Sequence, residues 1–369
     1  MSLRLASFNV ENLMGRFDFS GFRNDLWKDR TLALYDIRTE AEYQALERAR
    51  TIAHTDDNRQ LTALAIAATR ADIIVLQEVD SLEALKAFEY GYLFKMVGEG
   101  YRFKYASSGN DSRGIDVAIM MREETMHGEP IEFVRATSHA QLTFAELDLY
   151  DPLLADVGIK PTDRIFRRDC LEVDVRIGGK PFTIYGLHLK SMGSPRNGQD
   201  GRTSTMPLRV AEARAVRGII EKRFGDRAAD RRWAICGDLN DYAERVLIEG
   251  DQWAGYTFQP VVEAQSAVNV FTSDGFAVNP VDRRPELDRW TLYHTRGPKE
   301  RHLCQLDYVL LSAGVARRNA TAIPDIVRNG QPYRTVFPPG QEVDRFPRVG
   351  WDRPKASDHC PVAITLDVG

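Results

Sequence analysis

The chain has 369 residues, 43% of them hydrophobic and 28% charged, with a formal net charge of −4. This is the composition of a globular protein with a sizeable core. It offers no global basic field that would advertise nucleic acid, although a local basic stripe remains compatible with it. Cys170, Cys236, Cys304 and Cys360 form no CxxC pair, which argues against a disulfide framework or a zinc site and for buried thiols in a reducing compartment.

The opening MSLRLASFNV runs straight into a strand, and no later run approaches membrane-spanning length. The expectation is a cytoplasmic protein without a membrane span. Apolar runs predict strands over residues 3–10, 73–79, 117–121, 171–177, 182–189, 233–236, 306–311 and 362–366. The pair Gly178-Gly179 between two of these runs predicts a hairpin, so part of the sheet is antiparallel. Helices are predicted over residues 58–69, with Leu61, Leu64, Ala65 and Ala68 on one face, and over 208–224, with Leu208, Ala211, Ala215 and Ile219 on one face. Strands mixed with few helices and a hairpin indicate an α/β sandwich rather than a regular βαβ wind. Residues 15–50, 141–168 and 324–355 read as irregular loops, and the last holds six of the seventeen prolines. Strand signals continue on both sides of each, so the chain reads as one domain, 1–369, with long loop insertions.

The informative residues are the polar ones at strand ends. FNVEN closes the first strand with Asn9 and Glu11, and QEV closes the second with Glu78. GLHLKS carries His188 and Lys190, GDLND carries Asp238 and Asn240, LDYV carries Asp307, and SDH supplies Asp358 and His359. Each stretch alone is ordinary: Gly, Asp and Asn are the usual turn residues, and a histidine among apolar neighbours can be a hydrogen-bonded core residue. Together they are harder to account for that way. Burying a carboxylate costs several kcal/mol unless it is paired or coordinated, so this many acids beside apolar strands point to a shared metal. The oxygen-rich donor set favours Mg²⁺, Mn²⁺ or Ca²⁺.

As an ordered set, from FNVEN to SDHCPV, these motifs resemble the endonuclease/exonuclease/phosphatase superfamily, the deoxyribonuclease I-like metal-dependent phosphohydrolases. The resemblance implies a four-layer α/β sandwich, two mixed β-sheets face to face with helices outside. It implies that Asn9, Glu11, Glu78 and Asp358 serve the metal. Arg168 and Lys190 would approach the substrate phosphate, and His188 the scissile phosphate. Asp238 would orient or activate water, and Asn240 would donate to a phosphoryl oxygen. Asp307 would hold His359. No nucleophile elbow of the GxSxG kind occurs, so a covalent serine is not expected. The expected activity is divalent-metal-dependent phosphodiester hydrolysis, foremost of DNA or RNA. Basic loops with Arg164, Arg167 and Arg168, then Arg196 and Arg202, would contact the backbone. The alternatives are a phosphatase or phosphodiesterase for a small substrate (inositol phosphate, lipid headgroup, nucleotide) and a non-catalytic scaffold. No protein partner is expected.

Overall fold

The structure, a computed structural model, describes residues 1–13, 39–98, 100–111, 113–156, 158–193, 200–295 and 300–369. Its strands in chain order are β1 Ser2–Leu13, β2 Ile73–Val79, β3 Phe103–Ala106, β4 Asp116–Met121, β5 Ile131–Ser138, β6 Cys170–Ile177, β7 Lys180–His188 and β8 Trp233–Asp238. They continue with β9 Glu244–Asp251, β10 Gly255–Val262, β11 Ala277–Val278, β12 Leu292–Thr295, β13 Arg301–Cys304, β14 Asp307–Ser312, β15 Asp325–Ile326 and β16 Val362–Asp367. Every strand expected from the sequence is among them.

Two six-stranded sheets form the body, in the orders β15-β16-β1-β2-β4-β3 and β11-β14-β8-β7-β6-β5. Each contains one parallel pair, β1/β2 in the first and β7/β8 in the second, flanked by antiparallel neighbours. The Gly178-Gly179 hairpin joins β6 to β7 as expected, with both glycines at positive φ as a tight primed turn needs.

The sheets meet face to face over a shared apolar layer that includes Leu5, Val75, Val117 and Ile364 from the first and Val173, Ile184, Cys236 and Val309 from the second. Outside the first sheet, the helix Glu40–Thr69 covers Phe8, Ile74 and Leu76 with Leu61, Ala65 and Ile66. Outside the second, the helix Gly201–Phe224 covers Tyr185, Trp233 and Ile235 with Leu208, Ala215, Ile219 and Ile220. The result is the expected four-layer sandwich of two mixed sheets between helices.

Three details differ from expectation. The first helix begins at Glu40, behind a Thr39/Glu42 capping box, so the described end of the 15–50 stretch is helical. Residues 14–38 of that stretch lie outside the described residues. Its buried face is also displaced: Ala68 is exposed, whereas Thr62 and Thr69 are buried. Thr62 Oγ1 donates to the Ala356 carbonyl at 2.6 Å, so the segment before SDH covers that flank. Finally, a third sheet, β10-β9-β13-β12, stands between β8 and β14 in the chain. Its short strands alternate polar and apolar residues, a weaker signal than the core runs. The 324–355 stretch is irregular as expected, apart from β15.

Candidate active site

In a parallel strand pair both carboxyl ends fall on the same edge of the sheet. Each large sheet therefore delivers two polar strand ends to one rim: Asn9 and Glu78 from β1 and β2, His188 and Asp238 from β7 and β8. Asp238 is the point of convergence. It is registered beside His188 on β7 and beside Asp307 on β14, and side chains at one register share a face. GDLND carries a glycine there because a Cβ at Gly237 would fall 2.1 Å from the Leu187 carbonyl oxygen.

Asn9 bridges the two sheets. Its Nδ2 donates to Asp238 Oδ2 at 3.0 Å and reaches Glu78 Oε1 at 3.4 Å, while its Oδ1 accepts from the Glu11 N–H. The Asn240 N–H donates to Asp238 Oδ1 at 2.8 Å, and its Nδ2 donates to Asp238 Oδ2 and to the Leu189 carbonyl, each at 3.1 Å. His188 Nε2 lies 3.6 Å from Asp238 Oδ2 and 4.0 Å from Glu78 Oε1. Burial pushes the Asp238 carboxyl up to about 7, with His359 opposing and Asp307 reinforcing the shift. Burial, then the nearby cations Arg168, His359, Arg113 and Lys190, push His188 well below the usual imidazole range, so it is neutral.

The His359–Asp307 couple is formed. Asp307 Oδ2 is 2.9 Å from His359 Nδ1, which leaves Nε2 directed at the site, 3.9 Å from Asp238 Oδ2. Burial opposes charge on His359, but Asp307, Asp238 and Asp358 outweigh it and lift its pKa well above the ordinary value. Thr291, a residue the sequence did not flag, supports this couple. Its Oγ1 accepts from the N–H groups of Leu306 and Asp307, and its carbonyl accepts from the Cys360 N–H. Ser357 ties SDH to FNVEN by donating to the Asn9 carbonyl at 2.7 Å and accepting from the His359 N–H.

Backbone strain concentrates here. Of the eight described non-glycine residues with positive φ, four are site residues: Glu11 (50°), Asn12 (63°), Glu78 (67°) and Asn240 (48°). Such conformations persist where the surroundings enforce them, and they cluster at functional sites. Glu78 falls at an irregularity of β2 against both β1 and β4. Its Oε2 accepts from the Asn12 N–H at 3.0 Å. Burial, then the Asp358 charge, push the Glu78 carboxyl above its usual range. A hard divalent cation would relieve both. Among the described residues no three Asp, Glu, His or Cys side chains form a cage for an ion, but Mg²⁺ is ordinarily held by one or two carboxylates plus water and substrate oxygens. The donor chemistry at Glu78 fits that pattern.

Glu11 and Asp358 sit differently. Glu11 Oε1 accepts from Arg353 at 2.6 Å, and Oε2 meets Lys355 Nζ at 3.0 Å and the Asp358 N–H at 3.1 Å. Asp358 is at the mouth, with its side chain 45% exposed. Burial works against its charge, but Lys355 and then His359 hold its carboxyl below the usual range.

The expected phosphate-binding cations divide. Arg168 is buried, donates to the Leu189 carbonyl at 2.9 Å and pairs with Asp111 at 3.0 Å. Asp111, which carries no signal in the sequence, also pairs with Arg113 and so fixes a second cation near the mouth. Lys190 Nζ turns back onto Ser191. Arg164 donates to the Gln141 carbonyl. Arg202 is no surface contact: it pairs with Asp241 at 2.8 Å and Glu263 at 3.1 Å and stacks on Tyr242 at 4.5 Å. Arg196 lies outside the described residues.

Two mixed sheets thus bring acidic and imidazole groups together at a common rim. The model of the Endonuclease/Exonuclease/phosphatase family matches residues 6–359. The chain belongs to that family and is one of its hydrolases. Among solved structures, it is similar to a mannosyl-6-phosphatase from Bacteroides thetaiotaomicron, at 14% identity and a TM-score of 0.52, covering 99% of each chain. It is also similar to a humanized Danio rerio TDP2, at 15% identity and a TM-score of 0.49 over 100% of this chain and 99% of that one. For the catalytic domain of human Nocturnin the values are 13% and 0.47, over 99% and 94%. No curated protein matches the sequence. Among the described residues no helix is long and apolar enough to cross a membrane.

Proposed function

We propose that the chain is a single-domain, divalent-metal-dependent phosphodiester hydrolase, with nucleic acid as its foremost substrate class. The observation that carries this reading is the convergence on Asp238 of His188, Asn9, Asn240 and the His359–Asp307 couple, beside the strained and partly buried Glu78. Phosphoester hydrolysis needs an aimed water, donors for the phosphoryl oxygens and help for the leaving oxygen.

A Mg²⁺ or Mn²⁺ ion held by Glu78, with Asn9 beside it, would supply Lewis-acid stabilisation of phosphoryl charge. Asp238 is the group to aim a water: it is fixed by three donated hydrogen bonds from Asn9 and Asn240. His359 is held as an imidazolium with Nε2 toward the site, and neutral His188 stands across from it. Both can donate to phosphoryl oxygens. The Asn240 amide does so once substrate replaces its bond to the Leu189 carbonyl. Arg168, fixed by Asp111, serves a substrate phosphate.

A second reading, a phosphoesterase for a small substrate, is favoured by one observation. Arg202, expected to contact a polymer backbone, and Lys190, expected to approach the substrate phosphate, are spent on internal partners. The experiment is a screen with plasmid DNA, single-stranded DNA, RNA, bis-(p-nitrophenyl) phosphate and p-nitrophenyl phosphate, in Mg²⁺, in Mn²⁺ and in EDTA. Metal-dependent cleavage of the polymers supports the nuclease. Turnover of the chromogenic esters alone supports the small-substrate enzyme. Undiminished turnover in EDTA after dialysis sinks the metal assignment.

A further inference from the structure

The residues ahead of SDH do more than close a loop. Arg353 and Lys355 both reach the rim of the site and share one carboxylate, Glu11, at 2.6 and 3.0 Å. Lys355 is as buried as the site's histidines, at 5% exposed. Its placement is enforced from outside the site: its N–H donates to Asn58 Oδ1 at 3.0 Å, and the next residue's carbonyl accepts from Thr62. Arg348 adds an ion pair to Asp57 at 2.7 Å. The first helix thus docks this segment and presses its ammonium into the site. Glu11 in turn accepts the Asp358 backbone N–H, so the Glu11 carboxylate holds both cations and Asp358 together, while the Asp358 carboxylate itself stands beside Ser357 and His359.

Resting on the metal-hydrolase reading above, we propose that Arg353 and Lys355 neutralise Glu11, next to Asp358, with protein cations. The site then takes a single divalent ion, at Glu78, and no second one beside Glu11 and Asp358. The cause is electrostatic. An ion bound by Glu11 would stand within a few ångströms of an ammonium and a guanidinium that occupy the same carboxylate oxygens, and the ammonium, buried with most of Glu11, is weakly screened by solvent. Glu78 lies on the other side of Asn9, and the hydrogen bonds that its oxygens accept from the described residues come from neutral donors, the Asn9 amide and the Asn12 N–H, with His188 at 4.0 Å. Fixed positive charge is thus built into one half of the site, and exchangeable charge goes to the other.

The test is to count Mn²⁺ ions bound to the full chain by equilibrium dialysis and by the loss of the free-ion electron paramagnetic resonance signal, with no substrate present. Wild type is expected to bind one ion per chain. The double variant Arg353→Met/Lys355→Met, if its circular dichroism and melting remain cooperative, is expected to bind two. Within the one-ion wild type, Glu78→Gln weakens binding at least tenfold, and Glu11→Gln changes it less than threefold. Two ions in wild type, one ion in the folded double variant, or equal losses in Glu11→Gln and Glu78→Gln would each overturn the proposal. If the double variant does not fold, the wild-type count and the two glutamate variants still decide. No bound ion in wild type is a different failure: it removes the metal reading on which the proposal rests.

Discussion

The five residues GDLND contain two buried aspartates with opposite surroundings. Asp241 is matched: Arg202 and Arg209 approach its oxygens at 2.8 and 3.8 Å, and the N–H groups of Tyr242 and Ala267 donate at 3.0 and 2.7 Å. Asp238, three residues earlier, meets amides, an N–H, and imidazoles no nearer than 3.6 Å. Its carboxyl is pushed up to about 7 chiefly by burial. A buried charge with matched partners is a structural joint, whereas one left to strained, neutral donors costs stability and is poised for chemistry. The two aspartates should therefore fail in opposite ways when replaced.

That contrast gives the largest expected effects. Asp238→Asn should lower turnover on the order of 10³-fold, the range for loss of a general acid or base, while stability stays within about 1 kcal/mol of wild type. Asp241→Asn takes the carboxylate away from the buried Arg209 and from Arg202, which keeps Glu263. Breaking such a pair costs about 3–5 kcal/mol against a total stability of about 5–15 kcal/mol, a loss of roughly 4–7 °C in Tm for a chain of this length. Activity per folded molecule should fall far less than for Asp238→Asn. Calorimetry and kcat measured on the same preparations check both, and a destabilised Asp238→Asn with an inert Asp241→Asn would invert the comparison.

A smaller effect sharpens the same distinction among arginines. Arg168 and Arg202 read alike in the sequence, as basic loop residues. The structure puts Arg168 on the loop beside the site, held by Asp111 and the Leu189 carbonyl, and Arg202 in the Asp241–Glu263 joint. Arg168→Ala should raise KM and lower kcat, about tenfold or more in kcat/KM, and should lower Tm as well, because it leaves the partly buried Asp111 without its buried guanidinium. Arg202→Ala should lower Tm and leave KM for bis-(p-nitrophenyl) phosphate near the wild-type value. A lowered salt dependence of polymer binding in Arg202→Ala at unchanged Tm would restore its role as a backbone contact.

These cases show what a sequence can and cannot disclose. Apolar runs announced the core strands, because strands buried on both faces are nearly continuous in hydrophobic residues. Asn9, Glu78, His188, Asp238, Asp307 and His359 were legible because each stands within such a run or close beside one end of it, where burying a polar group is costly unless it is paired or put to use. Their supports were not. Asp111 acts on Arg168, Thr291 on Asp307, and Lys355 on Glu11, across gaps that only the fold closes. Nothing local separates these residues from ordinary turn and loop residues. The third sheet escaped notice for a related reason: β9 and β10 bury only part of one face, so their patterns resemble loops. Arg202 misled because an arginine's partners decide whether it is a surface or a joint, and Asp241, Tyr242 and Glu263 lie 39 to 61 residues away.

The smallest expected effect lies far from the site and tests whether a matched joint behaves as one when protons are added. On the outer face of the second sheet, Asp174 accepts from Thr183 at 2.8 Å and pairs with Arg223 and Arg135, each at 2.7 Å. Burial alone would raise its pKa, but Thr183, Arg223 and Arg135 outweigh burial and hold the carboxyl below its ordinary value of 3.8. A depressed carboxylate pKa means that the unfolded chain binds the proton more readily. Stability from this group is therefore fully present above the unfolded pKa and is lost as pH falls through the folded one. Asp174→Asn should lower Tm at pH 7 by a few degrees at most, since the group is partly open to solvent and its pairs are screened. The difference from wild type should shrink as the pH is taken below about 4, where the wild-type carboxylate begins to protonate. Melting curves of both proteins from pH 7 down to the acid limit of reversible folding make the test. A difference that grows on acidification would mean that the Asp174 joint does not depend on its charge.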